Sequence, residues 1–174
     1  AASEEDDHIL YVLQDMVSLE LPQQVDAAVS ICDCMNYILE EEDLKEAFRR
    51  VREFLKEDGV FVFDMNSHYK YKEILACNTF AEDREDASFI WDNFYDPEEQ
   101  INEYDLSIFI REEENLYRKF TETHYQRGYT LEEMKTFLEK AGLIFVTALD
   151  EKTHKAPTET SERIYVIARE HGKQ

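Results

Sequence analysis

Apolar residues fall along the chain in short runs and stripes that switch between two periods. Ile9-Leu10-Tyr11-Val12-Leu13, followed by Gln14-Asp15-Met16, predicts a strand, because the run is short, rich in strand formers and closed by polar residues. Pro22 places residues 19–24 in a loop. Ala27-Ala28-Val29-Ser30-Ile31-Cys32 is nearly continuous, which predicts a strand buried on both faces, as in parallel sheets. Leu44, Ala47, Phe48, Val51 and Leu55 share one helical stripe, and Gly59 is expected to stop that helix. Val60-Phe61-Val62-Phe63 then reads as another buried strand, ending in Asp64-Met65-Asn66. Strand, helix and strand in this order form a βαβ unit.

The period then changes. Residues 88–125 alternate as antiparallel strands do: Phe89, Trp91 and Tyr95 share one parity, and Tyr104, Leu106, Ile108 and Ile110 form a cleaner stripe. Leu116, Phe120 and His124 belong to a further segment, with turns expected at Asp96-Pro97 and residues 112–115. The pattern predicts a meander of about three strands inserted in an α/β framework. Thr130 and Glu133 make a capping box for a second helix with Leu131, Met134, Leu138 and Ala141 on its stripe and Gly142 as its stop. Residues 143–149 and 164–168 predict two final strands, joined by a polar loop and therefore antiparallel.

Composition narrows the partners. The 174 residues amount to one domain or part of one. Lys plus Arg total 19 and Asp plus Glu total 40, a net charge of -21. Such a chain has no electrostatic footprint for nucleic acid and is repelled by an anionic membrane. The hydrophobic share of 43% suffices for a core. No apolar run is long enough for a membrane span, and residues 1–7 lack the features of a signal peptide. Cys32, Cys34 and Cys77 fit neither a disulfide framework nor a zinc site, so the chain reads as reduced and cytoplasmic, with no metal. The acidic runs at 40–43, 82–86, 96–99 and 112–114 read as solvated surface without calcium-loop spacing. Only 4 glycines occur, far apart, so no glycine-rich nucleotide cradle exists in this chain.

Joined together, the pieces carry a resemblance. Gln14-Asp15-Met16 closes one strand. Asp26-Ala27-Ala28-Val29-Ser30-Ile31-Cys32-Asp33-Cys34-Met35-Asn36-Tyr37 and the helix with Phe48-Arg49-Arg50-Val51 follow. Leu55-Lys56-Glu57-Asp58-Gly59 then precedes the next strand. Residues 125–131 lead into the second helix, and Ile164-Tyr165-Val166-Ile167-Ala168-Arg169 ends the chain's framework. This order resembles the second half of a class I S-adenosylmethionine-dependent methyltransferase. The resemblance implies an α/β fold: a partial Rossmann-like sheet, mostly parallel with a C-terminal antiparallel pair, plus the inserted meander. It divides the chain into a core at 1–75, a β cap at 76–127 and a return to the core at 128–174. It further implies that the family's first two strands and glycine-rich turn are missing here, so that the chain is incomplete and weak or inactive alone.

The same resemblance assigns residues. Gln14, Asp15 and Met16 would meet the adenine of S-adenosylmethionine, Asp15 accepting from its amino group; the plain alternative for Asp15 is a turn cap. Cys32 and Asp33 stand at the carboxyl end of a strand, where open α/β sheets bind ligands, and their backbone would face the cofactor. Asn36 and Tyr37 would line the side of a small-molecule methyl acceptor. Asn66, with Asp64 and His68, ends the next strand on the same rim, although Asp64-Met65-Asn66 also reads as a simple turn. His124 and Arg127 leave the meander near that rim, as a proton acceptor and an anion clamp or as an ordinary strand end. Trp91, Phe94, Tyr95 and Tyr104 form either a lid or the meander's own core. No nucleophile–base pair is legible, and methyl transfer needs none. The rival expectation is a non-catalytic module whose sheet edges pair with another chain or with a second copy as a homodimer.

Overall fold

A computed structural model describes residues 9–114 and 116–172. Residues 1–7 of the leader reading, and Asn115 of the expected turn, lie outside them. In chain order the strands are β1 (Val25–Ser30), β2 (Leu55–Asn66), β3 (Thr79–Asp83), β4 (Ala87–Asp96), β5 (Ile101–Glu113), β6 (Leu116–Arg127), β7 (Leu143–Asp150) and β8 (Arg163–Glu170). The helices are α1 (Glu41–Phe54) and α2 (Leu131–Lys140). Two sheets result, ordered β1-β2-β8-β7 and β3-β4-β5-β6.

The first sheet is an α/β framework with its helices on one face. Leu44, Ala47 and Phe48 of α1 and Met134, Phe137 and Leu138 of α2 are buried with Phe61, Phe63, Val166 and Ala168 of the strands. Phe48 meets Phe63 at 5.5 Å and Phe61 at 6.0 Å between ring centroids. Each such side chain contributes about 1.5–3 kcal/mol by leaving water. α2 begins with the expected capping box, Thr130 accepting from the Glu133 N–H and Glu133 accepting from the Thr130 N–H. It stops at Gly142, whose φ of +82 suits glycine.

Several expectations change. The first sheet is not among them: β1, β2 and β7 point the same way, and β8 runs antiparallel to both β2 and β7, the expected C-terminal antiparallel pair. Ile9-Leu10-Tyr11-Val12-Leu13 is not a strand; residues 9–15 have no regular structure, and Leu13 is fully exposed. A strand needs a neighbour for its backbone groups, and none pairs with this run among the described residues. Among the described residues β1 lies at the edge of its sheet, and it is not buried on both faces, since Val29 is 66% exposed. Gly59 does not stop α1. That helix ends at Phe54, and the left-handed residue of the turn is Asp58, at φ 60. Gly59 is required instead for close approach, since a Cβ there would lie 2.9 Å from the Lys56 carbonyl oxygen and 3.2 Å from that of Asp26.

The meander has four strands, not three, because Thr79–Asp83 adds β3 at its edge. The stripes read from the sequence do share one face: Phe89 pairs with Ile108, Trp91 with Leu106 and Tyr104 with His124. Asp96 shapes the β4–β5 turn by accepting from the Glu98 and Glu99 N–H groups at 2.8 and 3.2 Å. After β2, a π-helical turn, Lys70–Leu75, packs Tyr71 and Leu75 against Tyr95 and so seats the second sheet on the first.

Candidate active site

The two sheets meet at the carboxyl end of β1. There Cys32 and Asp33 both take positive φ, 64 and 49, and turn the chain into a short 3-10 helix, Cys34–Tyr37. The conformation is held by charge. Arg163 of β8 donates to Asp33 at 2.7 Å and also to Asp64, while the Asp33 N–H donates to Asp64 at 3.2 Å. Burial works against the Arg163 guanidinium, but the two carboxylates outweigh it and raise its affinity for a proton. Gln126 of β6 donates to the second Asp33 oxygen at 2.5 Å.

From Gln126 the network returns to β2. The Tyr71 hydroxyl donates to Gln126 at 3.0 Å and accepts from the Asn66 amide at 3.3 Å. Burial pushes the Tyr71 hydroxyl well above its ordinary range and keeps it neutral. Asn66 accepts in turn from Lys70 at 2.9 Å, an ammonium whose proton affinity burial lowers. Asn36 is fully buried: its oxygen accepts from the Asn66 N–H at 2.9 Å, and its amide donates to the carbonyls of Asn66 at 3.1 Å and Arg127 at 2.8 Å.

Beside this network lies a second cluster, open to solvent. The Tyr37 hydroxyl is 2.7 Å from the Tyr104 hydroxyl and 3.1 Å from Nδ1 of His124. His124 stacks on Tyr104 at 4.7 Å, and its Nε2 lies 3.1 Å from a carboxylate oxygen of Glu122. A carboxylate only accepts, so Nε2 carries the proton and Nδ1 is left to accept from Tyr37. The Tyr37 oxygen then accepts from Tyr104, whose hydroxyl is raised chiefly by burial and next by that bond. The order Glu122, His124, Tyr37 is a carboxylate–imidazole–hydroxyl relay.

All five residues expected on the acceptor side, Asn36, Tyr37, Asn66, His124 and Arg127, are thus brought together. Arg127 is turned away from the opening: its guanidinium donates to the Leu39 carbonyl at 2.9 Å, pairs with Glu41 at 3.2 Å and lies over the Tyr129 ring. It holds the loop that carries Tyr37. On the other flank, Gln14, Asp15 and Met16 line an open cleft of about 350 Å³ with Ser30, Ile31 and Cys34. Gln14 is tied to the Glu20 backbone at 2.7 and 2.8 Å, and one Asp15 oxygen caps a 3-10 turn by accepting from the Val17 N–H at 2.8 Å. Cys34 donates to the Ile31 carbonyl at 2.9 Å, and burial raises its thiol, so it is no thiolate nucleophile. Trp91, Tyr95 and Tyr104 face the junction, whereas Phe94 lies on the outer face and is 60% exposed. Glu122, Gln126 and Arg163 were not singled out from the sequence; only the parity of β6 links Glu122 and Gln126 to His124.

The chain is 34% identical over 161 residues to a Geobacillus sp. (strain WCH70) protein and 35% identical over 161 residues to YqeM of Bacillus subtilis (strain 168), each provisionally named a methyltransferase. In both cases 92% of this chain aligns, and it spans 65% of the relative's length. Among solved structures, an S-adenosylmethionine-dependent methyltransferase from Clostridium acetobutylicum superposes with a TM-score of 0.86 at 31% identity, over 92% of this chain and 64% of that one. No family model matches the chain.

Proposed function

Because the chain belongs to the class I S-adenosylmethionine-dependent methyltransferases, we propose that the whole protein methylates a small-molecule acceptor at the junction of the two sheets. The observation that carries this reading is the Glu122–His124–Tyr37 relay on the rim where β1 ends. The cleft between Met16 and Ile31 has apolar walls with the Asp15 carboxylate at its edge, which fits a purine bearing an amino group. In this reading Gln14 fixes the loop, the free Asp15 oxygen accepts from that amino group, and Met16 lies against the ring. The backbone of Cys32 and Asp33, turned by their positive φ, lines the methionyl side.

S-adenosylmethionine, when bound, supplies a methyl carbon activated by its sulfonium. The chain's residues place the acceptor and take its proton. The Tyr37 oxygen receives that proton as its own passes to Nδ1 of His124, and the Glu122 carboxylate stabilises the imidazolium. Asn36, Asn66 and Arg127 act by holding Tyr37 in place.

Calorimetry tests the reading. The whole protein is expected to bind S-adenosylmethionine in the micromolar range, and absence of binding would sink it. This chain alone, which lacks a glycine-rich turn, is expected to bind weakly or not at all; micromolar binding by it would overturn that part. A second reading, association with another polypeptide, is favoured by the edge of β1, which has no partner among the described residues, and by Val29 and Ile31, exposed at 66% and 62%. Light scattering separates the two: a chain that stays monomeric removes self-association from consideration.

A further inference from the structure

The face of the second sheet that carries Tyr104 continues away from the relay as a groove of about 470 Å³. Its walls are Phe89 and Trp91 of β4 and Tyr104, Leu106 and Ile108 of β5. These side chains share a face through the β4–β5 register, and Trp91 meets Tyr104 edge-on at 5.5 Å, with Phe80 behind it at 5.4 Å. The charged residues on the lining, Glu82 and Arg84, are paired with each other at 2.5 Å. Tyr104 belongs to both places: its ring lines the groove, and its hydroxyl contacts Tyr37. The buried indole N–H of Trp91 has no acceptor among the described residues.

Resting on the methyl-transfer reading above, we propose that this groove holds the apolar body of the methyl acceptor. The acceptor is then an uncharged, ring-bearing small molecule whose hydroxyl or amine reaches Tyr37. The volume lies within the roughly 300–1,000 Å³ usual for small-molecule sites. Aromatic walls on both strands favour a flat ring system. A nucleotide or sugar phosphate does not fit, because a phosphate needs free guanidinium, ammonium or backbone N–H groups, and Arg84 is already engaged by Glu82.

Trp91 is the chain's single tryptophan, so one indole N–H resonance reports on the groove. Naphthol is titrated into the isotope-labelled chain, and that resonance is expected to move and saturate. Leu106→Gln and Ile108→Gln are each expected to weaken binding about tenfold, with circular dichroism unchanged. Phe94→Ala, on the opposite face, is expected to leave it as it was. An indole resonance that does not move, equal binding by both groove variants, or an equal response to thymidine diphosphate overturns the proposal. If Leu106→Gln fails to fold, Ile108→Gln and the thymidine diphosphate comparison still decide. The titration requires no methyl transfer, so its failure is distinct from a failure of the whole protein to bind S-adenosylmethionine.

Discussion

Asn36 and Asn66 are joined as two rungs of a β-ladder would be: the Asn36 amide accepts from the Asn66 N–H at 2.9 Å and donates to its carbonyl at 3.1 Å. A side chain thereby extends the β2 backbone across to the loop that follows β1. Asn36→Ala removes three hydrogen bonds in a fully buried place and leaves their backbone partners dry. We expect a loss of about 2–3 kcal/mol in urea denaturation. A loss within experimental error would show that the pair is dispensable.

Arg163 separates two carboxylates that otherwise face each other. Arg163→Gln is expected to cost about 2–3 kcal/mol at neutral pH, because it leaves the two carboxylates without their shared cation. Adding Asp33→Asn should recover part of the loss, which a double-mutant cycle measures. Additive effects of the two substitutions would dissociate them.

The relay is tested by activity of the whole protein. His124→Gln is expected to lower turnover about 100-fold and Tyr37→Phe by a similar factor, with cofactor affinity unchanged. Glu122→Gln should have a smaller effect, because it orients the imidazole without touching the acceptor. Unaltered turnover in all three variants would remove proton relay from the mechanism.

Alkaline pH should unfold the chain through its buried tyrosines. Burial raises the hydroxyls of Tyr71, Tyr104 and Tyr129 above their ordinary value and pushes Tyr95 up to about 12. Below the ordinary tyrosine value of 10.0, both states stay protonated and the contribution to stability is complete. Above it the unfolded chain ionises first, so stability falls as pH rises. Urea midpoints between about pH 8 and 11, read with tyrosine absorbance, check this. A flat midpoint would contradict it.

Gly59→Ala should destabilise the chain by about 1–3 kcal/mol, although the backbone there is not left-handed. The added methyl meets two carbonyl oxygens, one of which belongs to the neighbouring strand. Thermal denaturation would show it.

What the sequence makes legible follows the range of the forces involved. The stripe Leu44, Ala47, Phe48 and the Thr130–Glu133 box are local, and both stand in the structure as read. Asn36, Tyr37, His124 and Arg127 came from the resemblance, which sets the acceptor on the rim where the strands end; His124 itself lies inside β6. Ile9 to Leu13 failed as a strand because a strand's hydrogen bonds lie on its neighbours, not in its own pattern. Asp58, not Gly59, takes the left-handed turn because the glycine is claimed by the close approach of β1. Arg163 was invisible for the same non-local reason. It meets Asp33 from 130 positions away, and no spacing in the chain announces the contact.

That separation has a consequence for synthesis. A ribosome delivers Asp33 and Asp64 well before Arg163, which follows them by 130 and 99 positions. Until β8 has emerged, the two carboxylates lack their shared cation and the turn at Cys32 lacks its clamp. A nascent chain therefore carries a half-built rim until β8 emerges, and only then does the site close.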